Sequence, residues 1–449
     1  MNTNSKRRQS LVLIFSAAVV VLAGCGGGGG GDSGIAGPDV SSCSVTGQNA
    51  FVFDLMNDIY FWIDDVPAVT NSGFASPEAV LEAFRFAPLD RFSGLRDREE
   101  NDAFFSDSQF IGLGFGITVV DDTRLRLTQV FGDGPAAAVG MARGDEITRI
   151  DGRAVSDILA SDGLGGAFGA SEEGVTVSLE YIDGAGSTLQ TQLTKGLVTI
   201  ETVTRVTDFD LNGRRVGYLS FRSFVEPSFA ALDTAFNQLQ AANVESLVLD
   251  LRYNGGGLIS VAEELASKVG GSSTTGQVFA QRVHNAANQN RNVTTGFSNP
   301  PNALNLTDVV VITTGSTASA SEMVINALRP FVPVSIVGSR SFGKPVGSYQ
   351  FEFCDKVAVP IAFSLVNADG DGDFFDGFTP DCEAADDLDN PLGDQAEASF
   401  AEAIFLIENG MCSPVSRLDA TSSQKQRAKA TARGVQHELG EWRQTLNAF

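Results

Sequence analysis

Five hydroxyl side chains fall within the ten residues TGSTASASEM, 314–323, directly behind the apolar run DVVVI. A serine oxygen is a poor nucleophile until a neighbouring base takes its proton. Histidine is the usual base, and the chain has two, His284 in QRVHNAANQN and His437 near its end. Neither flanks a strand end where active-site loops gather, so both read as solvated side chains. A lysine can replace histidine if burial lowers its pKa from about 10.4 towards neutrality, because an apolar site disfavours the ammonium. Lys344 suits that role. It lies in SFGKPVG, just after the apolar run VSIVG, framed by Phe342, glycine and proline with no acid beside it.

The elements that must position these residues are legible in the pattern around them. From about 214 to 412, strand-like runs (RVGYLSF, SLVLDL, VVVIT, VSIVG) alternate with helix-like runs (SFAALDTAFNQLQAA, SVAEELASKV, SEMVINAL). That alternation predicts an α/β layer with largely parallel strands. Residues 46–106 carry apolar positions at helical spacing and read as a small helical domain. Residues 108–200 hold short β-rich runs separated by Gly/Asp turns. The predicted chain is thus multidomain, mixing α+β and α/β parts: a helical domain over 46–106, a β-rich domain over 108–200, a core over 201–414 and a polar helix or tail over 415–449.

The amino terminus predicts export. Lys6, Arg7 and Arg8 precede a short apolar run, LVLIFSAAVVVL, too short to cross a bilayer and suited to a signal peptide over 1–24. Leu22-Ala23-Gly24-Cys25 resembles a bacterial lipobox, with Cys25 as the lipidated residue and the glycine run behind it as a tether within 25–45. The expected location is the bacterial cell envelope, lipid-anchored and facing the periplasm, on the outer membrane. Membrane contact is expected only through that anchor.

A formal charge of −24, which becomes more negative once the basic leader is removed, argues against nucleic acid as a partner. Cys43, Cys354, Cys382 and Cys412 remain and are expected to form two disulfides. Cys354 and Cys382 flank what looks like a hairpin, which favours that pair and leaves Cys43 with Cys412. No spacing suits zinc. The acidic loop NADGDGDFFDGFTPDC, with Asp369, Asp371, Asp373 and Asp376, lacks the glycine and the glutamate of a calcium loop and reads as solvated. No metal and no cofactor is expected.

Two resemblances sharpen this reading. GLGF at 112–115, followed by GDGPAAAVGMARGDEITRIDGRAV, resembles the PDZ domain over about 90 residues. It implies a module that receives a peptide's C-terminal carboxylate on backbone N–H groups of Gly112, Leu113, Gly114 and Phe115. STASASEMVINAL, IVGSRSFGKPVGS and LVLDLRYNGGG together resemble the C-terminal-processing peptidases, serine peptidases with a Ser–Lys dyad. In that family the nucleophile is the first serine of S-A-S-E, and the lysine of F-G-K follows 25 residues later. The resemblance selects Ser319 over Ser316 and Ser321, with Lys344 as base. It also implies an oxyanion hole from the N–H groups of Gly256 and Ala320. The glutamine that many members place four residues after the lysine is Ser348 here, and the nearest glutamine is Gln350, so these two are candidate supporting residues. The implied function is an exported serine endopeptidase acting on unfolded or tail-exposed polypeptides. The alternative is a non-catalytic PDZ peptide-binding lipoprotein on a peptidase scaffold.

Overall fold

A computed structural model describes residues 35–161 and 163–414 of the chain. The expected signal peptide, Cys25 and its tether up to residue 34, and the tail with His437 lie outside the described residues.

The centre is a six-stranded sheet in which Val203–Leu211 and Arg214–Phe221 pair antiparallel. Ser246–Asp250, Asp308–Thr313, Val334–Gly338 and Cys382–Glu383 then follow in parallel. The near-continuous apolar runs have a plain cause, since a parallel sheet covered on both faces buries successive side chains in opposite directions. Val309 and Val311 face a core shared with the helices Ser228–Ala241, Ile259–Gly270 and Ala320–Leu328. Val310 and Ile312 face a second core built on Phe400 and Ala403 of the helix Ala398–Asn409. The α/β layer anticipated from the alternation of strands and helices is present.

The N-terminal helices do not close on themselves. Phe51, Val52, Leu55, Met56 and Ile59 of the helix Val45–Ile59 recur at helical spacing, and all join the large core of the α/β layer. The strand Gly94–Asp97 pairs with Lys356–Val359, and Phe51 stacks on Phe353 at 4.5 Å between ring centroids. This packing carries the segment Asp90–Arg96 up to the loop that bears Lys344.

The β-rich region has its own core of sixteen buried side chains, including Leu113, Phe115, Leu125, Ile147 and Phe168. It is docked on the central layer by ion pairs: Arg126 meets Asp389 at 2.7 Å and Arg143 meets Asp386 at 3.0 Å. A small sheet, Gln109–Gly112 with Gly196–Thr199, closes the two ends of this region together.

The disulfides differ from the expected pairing: Cys43 joins Cys354, and Cys382 joins Cys412. Cys354 sits between the strands Phe351–Phe353 and Lys356–Val359, close to the start of the first helix, where Cys43 lies. Between Cys354 and Cys382 the chain crosses to the far edge of the central sheet. There Cys382 meets the segment leaving the last helix, which holds Cys412. The acidic loop also differs from a simple solvated loop. Its aspartates are exposed, but Phe374 and Phe378 are buried, and Asn367 closes it by accepting the N–H groups of Asp369 and Asp371.

Candidate active site

Ser319 caps the helix Ala320–Leu328 at the end of the strand Asp308–Thr313. Its φ is +55°, a region that non-glycine residues adopt at a cost of about 1–3 kcal/mol and that recurs at functional turns. The neighbouring hydroxyls are already engaged. Ser321 is fully buried and donates to the Asn254 carbonyl at 2.9 Å, and Thr317 donates to the Leu251 carbonyl at 2.9 Å. Ser319 Oγ donates to no acceptor among the described residues and is engaged only through the capping box it forms with Glu322. Tethering therefore separates the candidate nucleophile from its neighbours.

Glu322, a residue to which the sequence analysis assigned no role, ties the nucleophile turn to the lysine loop. Its carboxylate is fully buried. One oxygen accepts the N–H of Ser319 at 3.0 Å and that of Lys344 at 2.8 Å, so those two short bonds bound the separation of the two backbones. The other oxygen accepts Ser341 Oγ at 2.6 Å and the Gly343 N–H at 2.7 Å. Burial pushes the Glu322 pKa up, and these donors oppose the shift by favouring the carboxylate. A Ser-x-x-Glu signature at a helix start is the sequence signal that points to such a carboxylate.

The lysine loop is held from outside as well. Arg91 Nη2 donates to the carbonyls of Phe342, Gly343 and Phe375 at 3.0, 3.1 and 3.3 Å. The Phe378 N–H donates to Ser341 Oγ at 2.7 Å. A Cβ at Gly343 would stand 2.1 Å from the Phe375 carbonyl oxygen, so the acidic loop packs directly against the loop that carries Lys344.

The Lys344 amine itself is left without an acid. Its Nζ lies 5.5 Å from the Phe92 ring centroid and makes no ion pair among the described residues. Burial, reinforced by the Arg96 charge and only partly opposed by Asp90 and Glu322, pulls its pKa down to about 8. Arg96 is buried deeply enough that its own pKa falls to about 10, and its guanidinium donates to Asn101 Oδ1 at 3.3 Å.

Neither expected supporting residue makes a hydrogen bond to this amine. Ser348 ends a strand paired with Ile361–Val366. Gln350 accepts from Asn101 Nδ2 at 2.8 Å, which links it to Arg96 instead. His284 is corrected too: it is 4 % exposed rather than solvated, with Nε2 3.0 Å from Tyr349 Oη and Nδ1 3.3 Å from Asn292 Oδ1. It belongs to the strand Val278–His284 in a separate four-stranded sheet, where apolar packing depresses its pKa.

The glycine turn after Ser246–Asp250 meets Ser319 closely. A Cβ at Gly256 would stand 2.8 Å from the Ala320 nitrogen and from Ser319 Cβ, and its φ of +101° also demands glycine. The Gly256 N–H, however, donates to Asn254 Oδ1 at 3.0 Å and is not open to an oxyanion as expected. The N–H groups of Gly255, Gly257 and Ala320 have no acceptor among the described residues. Beneath the turn, fully buried Arg252 is bound by Asp250 at 2.6 Å and Glu397 at 2.7 Å, which anchors the strand end.

A cavity of about 720 Å³ runs from Lys344 to the β-rich region. Lys344, Ser316 and Ala318 line one region of it, and Phe92, Arg96 and Phe105 another. Gly112, Leu113, Phe115 and Phe168 of the β-rich region line a third. Leu113 and Gly114 have N–H groups without an acceptor among the described residues, while their carbonyls accept from Ala136 and Phe131.

Residues 215–384 match the model of peptidase family S41, and residues 47–94 match the S41 N-terminal domain. A carboxy-terminal-processing protease of Bartonella bacilliformis is 28% identical over 253 residues, covering 54% of this chain and 53% of that protein. A chloroplastic C-terminal processing peptidase of Tetradesmus obliquus is 31% identical over 245 residues, covering 51% and 50%. The chain thus spans about half the length of these relatives. A crystal structure from Bacteroides fragilis, assigned to the S41 proteases, superposes with a TM-score of 0.64 at 25% identity over 79% of this chain and 96% of that one. The chain is similar to peptidase family S41 over residues 215–384 and to the S41 N-terminal domain over residues 47–94, and to C-terminal-processing peptidases over about half of their length.

Proposed function

We propose that the protein is a serine endopeptidase in which Ser319 is the nucleophile and Lys344 the base. The observation that carries this reading is a lysine amine with no acid partner, whose backbone N–H shares one Glu322 oxygen with the N–H of Ser319. Neutral Lys344 takes the proton of Ser319 Oγ as the oxygen attacks the peptide carbonyl. The developing oxyanion is met by the Ala320 N–H at the helix start and by an open N–H of the Gly255–Gly257 turn. The resulting ammonium gives its proton to the leaving amine. Water, deprotonated by the same lysine, then attacks the acyl carbonyl, and the lysine ammonium returns that proton to Ser319 Oγ as the acyl–oxygen bond breaks.

The cavity shared by Lys344 and the Gly112–Phe115 loop supports PDZ-like docking of unfolded or tail-exposed polypeptides. The two disulfides support export to an oxidising compartment, and the lipobox-like Leu22–Cys25 stretch is the support for lipid attachment at Cys25 and a periplasm-facing position. Cys25→Ser is expected to release the protein from membranes, and membrane retention unchanged by it would count against the anchor.

The test of the chemistry is fluorophosphonate labelling followed by peptide mapping. The label is expected on Ser319, absent in Ser319→Ala and strongly slowed in Lys344→Met. A protein that takes no label at Ser319, or takes it equally fast without Lys344, is not a Ser–Lys peptidase.

A further inference from the structure

The cavity holds a second buried amine that the chemistry above does not use. Lys195 follows the strand Thr188–Thr194 and is 6 % exposed. Its backbone is fixed on both sides, with its N–H on the Val175 carbonyl at 2.8 Å and its carbonyl accepting from Gly174 at 3.0 Å. Its ammonium donates to the carbonyls of Ala170 at 2.6 Å and Gly169 at 3.0 Å. An ammonium has three protons, so one remains. No carboxylate pairs with it among the described residues, and Glu172 and Glu173, which line the same cavity, stay exposed. A buried cation ordinarily has a counter-charge, because desolvation without one is costly. Here burial pulls the pKa down with no acid to oppose it.

The register says what the missing anion lies against. Gly112 pairs with Gly196 across the small antiparallel sheet, which sets Lys195 beside the exit into Leu113 and Gly114. Those are the two residues whose N–H groups lack acceptors. Leu113, Phe115 and Phe168 line the cavity at the same place, and the rings of Phe115 and Phe168 meet edge to face at 5.9 Å. An unmatched cation, unpaired N–H donors and an apolar wall fit one ligand: a free main-chain carboxylate behind an apolar last side chain.

We propose that Lys195 is the counter-ion for the C-terminal carboxylate of the substrate and sets the preference for a free over a blocked terminus. This rests on the docking reading given under the proposed function and assigns it a specific charge. Lys195 touches the tail, not the reacting bond, so it acts on binding.

The test uses the full chain carrying Ser319→Ala, so that nothing is cut. A fluorescent decapeptide ending in two apolar residues is offered as the free acid and as the C-terminal amide. Charge-assisted hydrogen bonds contribute about 1.5–3 kcal/mol, so the acid is expected to bind at least about tenfold tighter than the amide. Lys195→Gln keeps donors for the Gly169 and Ala170 carbonyls but removes the charge, and is expected to bring the acid-to-amide ratio within about threefold of one. Lys195→Arg is expected to keep most of it. A ratio unchanged in Lys195→Gln overturns the assignment while leaving C-terminal docking intact. No acid preference in the parent overturns the docking reading itself, and this assignment with it. If the Gln variant does not fold, acetic anhydride footprinting of the parent asks the same question. The free-acid peptide is expected to protect Lys195 from acetylation and the amide is not, and equal protection overturns the proposal.

Discussion

Two lysines of the α/β layer, Lys268 buried and Lys344 half-buried, have opposite surroundings. Lys268, near the end of the helix Ile259–Gly270, is fully enclosed and donates to Asp233 at 2.7 Å, Glu264 at 2.9 Å and Asn302 at 2.5 Å. It also anchors the incoming chain, since its carbonyl accepts the Leu304 N–H at 2.7 Å. Lys344 has its backbone held as firmly, through Glu322, yet its amine meets a phenylalanine ring, a cavity and the charge of Arg96. The difference teaches how one residue type serves two ends. Lys268, surrounded by acids, is a structural cation; Lys344, set against an aromatic ring and beside the Arg96 charge, is the lysine proposed here as a base near neutral pH.

The largest expected effect breaks the comparison outright. Lys344→Met should lower kcat on a denatured protein substrate by about 10²–10⁴-fold, the usual contribution of a general base. It should also stabilise the fold at neutral pH. A pKa near 8 in the folded state against the ordinary value of 10.5 means the folded protein resists protonation, which disfavours folding by about 3 kcal/mol below pH 8. That penalty fades as pH rises from 8 to 10.5, where the unfolded chain also loses its proton. Lys268→Met should do the reverse, leaving kcat within about twofold and destabilising by about 1–3 kcal/mol, because Asp233, Glu264 and Asn302 lose their donor. Denaturant titration at pH 7 and pH 10 beside activity assays checks both.

Glu322→Gln comes next. Replacing a carboxylate oxygen by an NH₂ group sets a donor against either Ser341 and Gly343 or Ser319 and Lys344. A loss of about 10–100-fold in kcat with little change in KM is expected, since the geometry of the dyad and not the docking of substrate is disturbed. A change confined to KM would contradict the role of Glu322 as the strut between nucleophile and base.

Arg96→Met sharpens the comparison more gently. Without that positive charge the Lys344 pKa should rise, moving the acid limb of kcat/KM to higher pH by up to about one unit. Arg96→Lys should leave the limb in place. A loss of amplitude with no movement of the limb would reduce Arg96 to a packing residue. The smallest effect is expected for Ser321→Ala, whose hydroxyl only donates to the Asn254 carbonyl, with activity within a few-fold of the parent.

What could be read in the sequence followed from local pattern. The alternation of strands and helices anticipated the central layer, and the 25-residue step from Ser319 to Lys344 matched a known spacing before any coordinates. What could not be read depends on pairs far apart in the chain. The hydrogen bonds from Arg91 to Phe342 and Phe375, the merging of the N-terminal helices with the main core and the partner of Cys43 are long-range contacts with no local signature. Glu322 received no role from the sequence, because its second pair of bonds depends on a loop about twenty residues away. Arg96 is one charge in the charged run Arg96–Glu100 of the sequence, and only the strand pairing of Gly94–Asp97 sets it into the cavity.

The central claim is that an unpaired lysine, and no histidine, activates Ser319. The most direct measurement is the pH dependence of the second-order rate of fluorophosphonate labelling at Ser319 in the full chain. A single ionisation near pH 8, with labelling faster above it, moved by Arg96→Met and untouched by His284→Ala, is the predicted result. A limb near pH 6–7 that disappears in His284→Ala would contradict the account.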